Sequence, residues 1–315
     1  MTAQLDDQGR LRHLLSLDGL PRPILEDLLA RAQALADGAA RGGTDLRHVL
    51  AGKAVCTLFF EPSTRTRCSF ALAAQRLGAD LLSFDASTAS TTKGEADLDT
   101  LKTLEAMGVH AFVVRHGRDG AVAELAAAAG PGTALLNAGD GRNQHPTQGL
   151  LDMLTLRQAK GGDFASLKVV IVGDVKHSRV ARSDVQALRA LGCGEIRVCG
   201  PAALLPDDDT LDGCITGHDL DAMLDGVDAA IMLRLQRERM ADGLVASLDA
   251  YHRDYGLTAR RLRRAEADAI VMHPGPMNRG VEITDEVADG PQSRVLQQVA
   301  NGVAVRMAVL EALLA

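Results

Sequence analysis

Val-Cys-Thr-Leu-Phe-Phe-Glu-Pro-Ser-Thr-Arg-Thr-Arg-Cys-Ser-Phe, residues 55–70, begins with the pattern of a buried strand and ends with that of a helix. Residues 55–60 are mostly β-branched, aromatic or otherwise apolar, which is typical of a strand buried on both faces. Pro62 disfavours a helix at that point, and Ser63 or Thr64 can cap a helix that starts immediately afterwards. The segment therefore predicts a strand, a short turn and a helix.

The start of this predicted helix favours an anion. The first backbone N–H groups of a helix have no partner within it, and the helix dipole is positive at this end. Arg65 and Arg67 add forked donors that match two phosphate oxygens, and the hydroxyl groups of Ser63, Thr64 and Thr66 can complete the shell. An ordinary capped helix with solvated arginines has the same local pattern. These residues by themselves leave both interpretations open.

The length and the hydropathy pattern indicate a globular protein of two domains. The chain has 315 residues, more than a single hydrophobic core usually serves. No apolar run reaches the roughly 18 residues of a membrane-spanning helix, and residues 1–13 are polar rather than signal-like. We therefore expect a soluble, cytoplasmic protein.

The charge, the cysteines and the glycine pattern argue against several classes of function. The formal net charge is −7, and no basic tract is suited to follow a nucleic-acid backbone. Neither G-x-G-x-x-G nor G-x-x-x-x-G-K-[ST] occurs, which argues against a dinucleotide or nucleoside triphosphate. No Cys-x-x-Cys pair or Cys/His ligand array is present, so we expect no metal and five free buried thiols, at Cys56, Cys68, Cys193, Cys199 and Cys214. We also expect no cofactor.

Predicted strands and helices alternate along the chain, which implies parallel sheets with helical crossovers on both faces. The predicted fold class is α/β, with two doubly wound parallel-sheet domains and the active site in the cleft between them. A long helix that ends in Lys160-Gly161-Gly162-Asp163, followed by a new strand, places the domain boundary near residues 150–165. Strands are predicted at 54–60, 110–114, 133–137, 168–173, 195–199, 228–233 and 269–273. Helices are predicted at 65–77, 97–107, 120–129, 147–158, 179–191, 219–225 and 292–314.

Two polar segments follow predicted strands of the first domain, where ligands bind in parallel sheets. Arg115 lies just past a buried strand and is suited either to an anion or to an ion pair between domains. His145 and Gln148 flank Pro146 at a second predicted helix start, where the missing proline N–H costs nothing. A single His or Gln is also common in a structural role, so residue type alone does not assign a function to either.

Polar segments also follow strands of the second domain. Arg179 and Arg234 lie after different strands, and two arginines at neighbouring strand ends suit a dicarboxylate. Met-His-Pro-Gly-Pro-Met-Asn-Arg-Gly, residues 272–280, leaves the last strand as a stiff loop whose prolines have no N–H to donate. Its carbonyl groups are then available to an amide donor. Residues 84–97 form a polar loop with no core-forming residue after Phe84, so this loop is either mobile or functional.

The string Phe-x-Glu-Pro-Ser-Thr-Arg-Thr-Arg at residues 59–67 resembles the carbamoyl-phosphate signature of the aspartate and ornithine carbamoyltransferases. The resemblance continues along the chain through Lys93-Gly-Glu, Arg115-His116 and His145-Pro-Thr-Gln148. It then includes the arginine segments and the Pro-Gly-Pro of residues 274–276. Pro-Gly-Pro is similar to the aspartate enzymes, since ornithine-type enzymes have a His-Cys-Leu-Pro string there. The sequence is therefore identified as a member of this family.

The resemblance implies roles for individual residues. Arg65, Thr66, Arg115 and His145 are the implied catalytic residues. Carbamoyl phosphate is bound, by the same resemblance, through Ser63, Thr64, Arg65, Thr66, Arg115, His145, Gln148 and the carbonyl groups of Gly275 and Pro276. L-Aspartate is bound through Lys93, Arg179, Arg234 and Gln236, with Ser90 and Lys93 supplied by the neighbouring subunit.

The resemblance also implies the reaction and the assembly. Carbamoyl phosphate and L-aspartate would give N-carbamoyl-L-aspartate and phosphate, early in pyrimidine (UMP) synthesis, without a metal or cofactor. A carbamoyl-phosphate domain at 1–150 would be joined by the last helix, 291–315, and an aspartate domain would span 151–290. The expected assembly is a homotrimer with shared sites, alone or with regulatory chains or a dihydroorotase-like partner. The alternatives are a carbamoyltransferase for another amine such as ornithine, an inactive scaffold of a pyrimidine-synthesis assembly, or a nucleotide-binding module.

Overall fold

A computed structural model describes residues 4–40, 45–85, 96–235 and 247–315, and the chain divides into two units. Unit 1 comprises Met1–Leu150 and Ala300–Ala315, and unit 2 comprises Leu151–Val299. Each unit contains one wholly parallel sheet whose strands alternate with helices along the chain. The predicted α/β class with two parallel-sheet domains is therefore confirmed.

The sheet of unit 1 has four strands in the order β2-β1-β3-β4. These strands are β1 Ala54–Phe59, β2 Asp80–Asp85, β3 Ala111–His116 and β4 Ala134–Asp140. The helices that begin in this unit are α1 Arg22–Ala40, α2 Thr64–Arg76, α3 Asp97–Ala106, α4 Ala121–Ala128 and α5 Pro146–Lys160. The core consists of fully buried side chains of β1, β3 and β4 with apolar residues of the helices, since these strands are apolar at nearly every position.

The register of this sheet brings three strand ends together. Phe59, the last residue of β1, is aligned with Arg115 of β3. His116 of β3 is aligned with Asp140 of β4, after a shift in register that follows Val114. Because all three strands are parallel, the segments that follow them all leave the sheet at the carboxyl-terminal ends of its strands. The predicted helix starts near residues 64 and 146 both lie at this end of the sheet.

The segment before α1 pairs with the outer edge of β4, the last strand of the sheet. The Leu14 N–H donates to the Leu135 carbonyl at 2.9 Å, and the Asn137 N–H donates to the Leu14 carbonyl at 2.9 Å. The Leu135 N–H donates to His13 Nδ1 at 2.9 Å. Burial of the imidazole lowers the pKa of His13 to about 4, with Arg12 contributing in the same direction. His13 is therefore a neutral structural acceptor.

The sheet of unit 2 has five strands in the order β7-β6-β5-β8-β9. These strands are β5 Lys168–Val172, β6 Glu195–Cys199, β7 Ile215–Gly217, β8 Ala229–Met232 and β9 Ile270–Met272. The helices are α6 Arg179–Ala190, α7 Leu220–Met223, α8 Leu248–Tyr255, α9 Ala259–Leu262 and α10 Asp285–Ala288. The last helix, α11 Val295–Leu314, contributes residues 295–299 to this unit and residues 300–314 to unit 1.

Several elements escape prediction from the sequence, and the two missed strands share a physical cause. Strand β2 contains Asp80, Ser83 and Asp85, and strand β7 has only three residues, so neither shows a clear apolar run. Helix α1 was not predicted, although Leu25, Leu28, Leu29, Ala32 and Leu35 form a buried stripe along it. Both missed strands lie at the edge of their sheets, where tertiary pairing outweighs local pattern.

The cysteine prediction is correct for pairing, but only two of the five thiols are buried, and Cys193 and Cys214 are half-buried. All five thiols are free, and Cys56 and Cys199 are buried, whereas Cys68 is exposed on α2. Burial raises the pKa of both the Cys56 and the Cys199 thiol to about 12, which keeps them protonated. Within the described ranges, no cluster of three or more His, Cys, Asp or Glu is arranged to hold a metal ion. None of the described helices combines the length and the apolar character needed to cross a bilayer.

Candidate active site

The start of α2 has the geometry of an anion site. Ser63 precedes the helix in an extended conformation, with φ −161° and ψ 99°. Its side chain makes no capping hydrogen bond to the first turn, because the hydroxyl donates to Thr66 Oγ1 at 2.9 Å. The first turn also contains no acidic residue. A helix start with neither a side-chain cap nor a carboxylate attracts an anionic ligand through its N–H groups and its dipole.

The two arginines of this helix start differ in their surroundings. Arg65 and Thr64 are exposed, whereas Thr66 is buried. The Arg67 guanidinium lies over the Phe59 ring, with 5.2 Å from its central carbon to the ring centroid. A cation–π contact of this kind fixes Arg67 against the end of β1. Arg65, rather than Arg67, is therefore the arginine that remains exposed at the helix start.

Arg115 is held at the junction of three strand ends. Its Nη2 lies 2.8 Å from Glu61 Oε1, in the turn that follows β1. Its Nη1 donates to the Ala138 carbonyl of β4 at 3.2 Å. The side chain is only 10% exposed, so the ion pair is shielded and the orientation of the guanidinium is fixed. Sequence reasoning assigned no role to Glu61, although it lies inside the signature string.

A buried carboxylate shapes the turn that leads to His145. Asp140 is fully buried and accepts from the N–H groups of Gly120 at 2.9 Å and Gln144 at 3.0 Å. It also accepts from Asn137 Nδ2 at 2.9 Å. These bonds fold residues 140–144 into a tight turn, after which α5 begins at Pro146. Asp140 was missed as a positioning residue, and its place between a strand and the His-Pro-Thr-Gln string was the available signal.

His145 immediately precedes α5, the site's second helix, and Gln148 lies in its first turn. Their side chains are buried, and the Gln148 N–H donates to the His145 carbonyl at 2.9 Å. Two helix starts, those of α2 and α5, thus follow β1 and β4, which lie on either side of β3 and Arg115. In unit 1 the predicted site residues therefore lie near the carboxyl-terminal ends of neighbouring strands, namely residues 63–66, Arg115, His145 and Gln148.

Unit 2 places its two predicted arginines after neighbouring strands. Strands β5 and β8 pair directly, with Val172 aligned with Met232. Arg179 is the first residue of α6, which follows β5, and Arg234 lies two residues after the end of β8. The Ser178 side chain caps α6 by accepting from the Ala181 N–H at 3.1 Å. Basic groups therefore follow two adjacent strands of this sheet, as predicted for a dicarboxylate site.

The turn before Arg179 is organised by a buried acid that sequence reasoning did not single out. Asp174 is fully buried, and its Oδ1 lies 2.7 Å from His177 Nδ1. The same oxygen accepts from the His177 N–H at 3.3 Å. These bonds fix the path of the chain from β5 into α6, and hence the origin of the Arg179 side chain.

Gly275 and Pro276 follow β9, which pairs with β8. Gly275 has φ 63°, a left-handed conformation that favours glycine over other residues. The loop is joined to the segment after β8, because Asn278 Nδ2 donates to the Leu235 carbonyl at 3.3 Å. The predicted site residues Ser90, Lys93 and Gln236 lie outside the described residues.

Two family models cover almost the whole chain. Residues 12–158 match the carbamoyl-P binding domain of aspartate/ornithine carbamoyltransferase, and residues 165–313 match the Asp/Orn binding domain. The chain belongs to the aspartate/ornithine carbamoyltransferase family. The predicted family membership is therefore confirmed.

Relatives within the carbamoyltransferase family align along their full length. The aspartate carbamoyltransferase catalytic subunit of Xanthomonas campestris pv. campestris (strain B100) is 75% identical over 313 residues, covering 99% of each chain. That of Stenotrophomonas maltophilia (strain K279a) is 73% identical over 315 residues, covering 100% of each.

Solved carbamoyltransferase structures share the fold. Aspartate transcarbamoylase from Trypanosoma cruzi, in complex with carbamoyl aspartate and phosphate, has a TM-score of 0.85 at 31% identity and 96% coverage of both chains. Ornithine carbamoyltransferase from Thermus thermophilus has a TM-score of 0.84 at 28% identity, covering 96% of this chain and 99% of that one. Enzymes for either acceptor therefore share this backbone, so the fold alone does not distinguish the acceptors.

Proposed function

We infer that the protein transfers the carbamoyl group of carbamoyl phosphate to the α-amine of L-aspartate. The observation that carries this function is the full-length identity of 73–75% to relatives named aspartate carbamoyltransferase catalytic subunit. The products are N-carbamoyl-L-aspartate and phosphate, which places the enzyme in pyrimidine biosynthesis. It acts as a transferase, and we propose that it needs no metal or cofactor.

We propose that unit 1 binds carbamoyl phosphate. The helix start at Ser63, Thr64, Arg65 and Thr66 supplies N–H groups, hydroxyls and a guanidinium to the phosphate oxygens. Arg115, held by Glu61 and the Ala138 carbonyl, offers a fixed cationic edge beside it. His145 and Gln148 contact the carbamoyl oxygen and nitrogen in this proposal.

We propose that unit 2 binds L-aspartate and the carbamoyl amide. Arg179 and Arg234, which follow neighbouring strands, pair with the two carboxylates of the acceptor, and Gln236 assists. The carbonyl groups of Gly275 and Pro276 accept from the carbamoyl NH₂. Each unit thus supplies one half of the proposed substrate contacts.

The chemistry follows from these contacts. The α-amine attacks the carbamoyl carbon, a tetrahedral oxyanion forms, and the bond from that carbon to the phosphate oxygen breaks. The departing phosphate takes the proton that the amine loses. Orientation of the two substrates supplies about 7–11 kcal/mol of the barrier reduction. Thr66, Arg115 and His145 donate to the oxyanion, and one such donor contributes about 2.7–4 kcal/mol.

We also propose a shared site in a cytoplasmic homotrimer. Ser90 and Lys93 of one subunit would enter the site of its neighbour, with Lys93 contacting both substrates. The name "catalytic subunit" of the relatives supports a further, regulatory partner.

An acceptor assay tests the proposed function. The purified chain is given carbamoyl phosphate with either L-aspartate or L-ornithine, and carbamoylated product and released phosphate are both measured. We expect product with aspartate alone, in equal amount to the phosphate. Product with ornithine would move the assignment to the other branch of the family, and no product with either acceptor would support an inactive scaffold.

A further inference from the structure

The loop that carries Gly275 and Pro276 is anchored to one buried carboxylate. Glu282 and His273 are both completely buried, with 3.2 Å between Glu282 Oε1 and His273 Nε2. The same Oε1 accepts from the Asn278 N–H at 2.5 Å. On its other side, the His273 ring accepts from the Gly275 N–H, with 2.8 Å between the two nitrogens. A single oxygen thus anchors the loop on both sides of residues 275–277.

The hydrogen bonds fix the tautomer of His273. Nδ1 accepts from a backbone N–H and must carry no proton, so Nε2 carries the proton and donates it to Glu282. The order of donation is Gly275 N–H to His273, then His273 N–H to Glu282. A carboxylate at the end of such a chain strengthens each bond before it.

The backbone that carries Glu282 and the backbone that carries His273 are also held in place. The Leu257 N–H donates to the Glu282 carbonyl at 3.0 Å, and the Gly280 N–H donates to the Ile283 carbonyl at 2.8 Å. The His273 N–H donates to Gln298 Oε1 at 2.9 Å, and Gln298 Nε2 donates to Asp152 Oδ1 at 2.7 Å. Both ends of the His273–Glu282 bond are therefore attached to backbone that belongs to the packed interior of unit 2.

Burial of the Glu282 carboxylate costs more stability than a purely structural role would justify. In the part of the chain that the structure describes, Glu282 has no lysine or arginine as an ion-pair partner, and Glu282 Oε2 accepts no hydrogen bond. A buried carboxylate without a cation lowers stability, whereas an apolar side chain at that position would not. Such costs are typical of positions that hold a functional segment in one geometry.

We propose that Glu282 is a positioning residue which, through His273 and the Asn278 N–H, aims the Gly275 and Pro276 carbonyls at the carbamoyl NH₂. This inference rests on the proposed function and extends it to the recognition of the amide. The carbonyl groups lie between the two anchored N–H groups, so their direction is set by Glu282 Oε1. Glu282 contacts no substrate and acts only through the loop.

Ligands that differ in a single group test this proposal. Carbamoyl phosphate donates from its NH₂, acetyl phosphate has a methyl group there, and inorganic phosphate has neither. Binding of all three is measured by calorimetry on the full chain for the wild type, Glu282→Met and Glu282→Gln, with the exposed Glu286→Gln as control. Glu282→Met should weaken carbamoyl phosphate binding by about 10–100-fold, the effect of leaving a buried NH₂ without its acceptor. Acetyl phosphate and phosphate should bind unchanged.

The conservative variant provides the rescue. Glutamine at 282 retains an oxygen that can accept from both His273 and Asn278, so Glu282→Gln should bind carbamoyl phosphate nearly as the wild type does. Equal weakening of all three ligands in Glu282→Met would show general damage and overturn the proposal. Unchanged carbamoyl phosphate binding in that variant would overturn it as well.

A matched pair at His273 answers the same question if Glu282→Met does not fold. His273→Asn places an oxygen near the position of Nδ1 and retains the acceptor for the Gly275 N–H, whereas His273→Gln does not. We expect selective loss of carbamoyl phosphate binding only in His273→Gln, and equal affinities would refute the proposal. A wild-type chain that binds no carbamoyl phosphate would instead refute the proposed function.

Discussion

The two halves of the candidate site hold their key groups by different means. In unit 1 the fixed group is a cation, and Arg115 is oriented by the ionised Glu61 at 2.8 Å. In unit 2 the fixed groups are carbonyls, and Glu282 orients the loop of Gly275 and Pro276 through His273, which accepts from the Gly275 N–H, and through the Asn278 N–H. A cation that contacts an anionic substrate needs a charged anchor, whereas a carbonyl that contacts an amide needs only a fixed direction.

The comparison extends to the other buried acids. Asp140 of unit 1 is satisfied by Gly120 and Gln144 N–H groups and by an amide side chain. Asp184 of unit 2 is fully buried beside Asp152, and burial together with the Asp152 charge raises the pKa of Asp184 well above its usual value. Unit 1 therefore surrounds its buried Asp140 with hydrogen-bond donors, whereas unit 2 buries Asp184 in surroundings that favour its protonated form. Asp184 of unit 2 and His13 of unit 1, whose pKa values are shifted in opposite directions, should respond oppositely to pH.

Removal of Arg115 should have the largest effect. Arg115→Met deletes the cationic edge that Glu61 fixes, and we expect kcat to fall about 10²–10³-fold, as for loss of a donor to a developing oxyanion. Steady-state kinetics with both substrates at saturation measure this. The control is Arg118→Ala, which removes an exposed arginine paired with Glu124 and should leave kcat unchanged. Equal kcat values for Arg115→Met and the wild type would show that the ion pair is purely structural.

Removal of Arg234 should weaken binding of the acceptor aspartate rather than slow the chemical step. Arg234→Ala takes one guanidinium from the proposed dicarboxylate site, and we expect KM for aspartate to rise about 10–100-fold, since a charged hydrogen bond contributes about 1.5–3 kcal/mol. The KM for carbamoyl phosphate should stay near that of the wild type. Arg260→Ala, an exposed arginine of α9, is the matched control. A rise in the carbamoyl phosphate KM instead would reverse the assignment of the two units.

The sequence predicted the parts of this comparison that depend on local pattern. The strand, turn and helix at residues 55–70 were predicted because Pro62 and the hydroxyl-rich turn mark the helix start locally. The predicted roles of residues 63–66, Arg115, His145, Arg179 and Arg234 stay predictions. The structure places Arg115 near the end of β3, rather than past it, and the other residues after a strand. Edge strands β2 and β7 were missed, because their pairing partners rather than their own residues define them.

The positioning residues could not be predicted from local pattern. Glu61, Asp140 and Glu282 act through partners 54, 20 and 9 residues away, namely Arg115, Gly120 and His273. Their signal is burial of a carboxylate, which a single sequence does not reveal. The sequence indicates which groups meet substrate more readily than which groups hold them.

Neutralisation of Asp184 should stabilise unit 2. The folded-state pKa is raised, so the stability that protonated Asp184 contributes is complete below its unfolded pKa and is lost as pH rises through the folded pKa. Asp184→Asn mimics the protonated acid and should raise the unfolding temperature at pH 7.5 by about 2–4 °C, as for about 1 kcal/mol in a unit of this size. The gain should shrink as pH falls towards 4. A gain independent of pH, measured by thermal unfolding across this range, would contradict a raised pKa of Asp184.

His13 should give the opposite pH dependence, with the smallest effect. Burial lowers the pKa of His13 to about 4 from 6.5, so its contribution to stability is complete above pH 6.5 and is lost as pH falls through the folded pKa. His13→Asn retains an acceptor for the Leu135 N–H but does not titrate. From pH 7 to pH 6 the wild type should lose less than about 1 kcal/mol relative to this variant, measured by urea unfolding. Parallel stability curves for the two proteins would mean that the imidazole is solvated, and the edge of β4 would then not depend on a neutral His13.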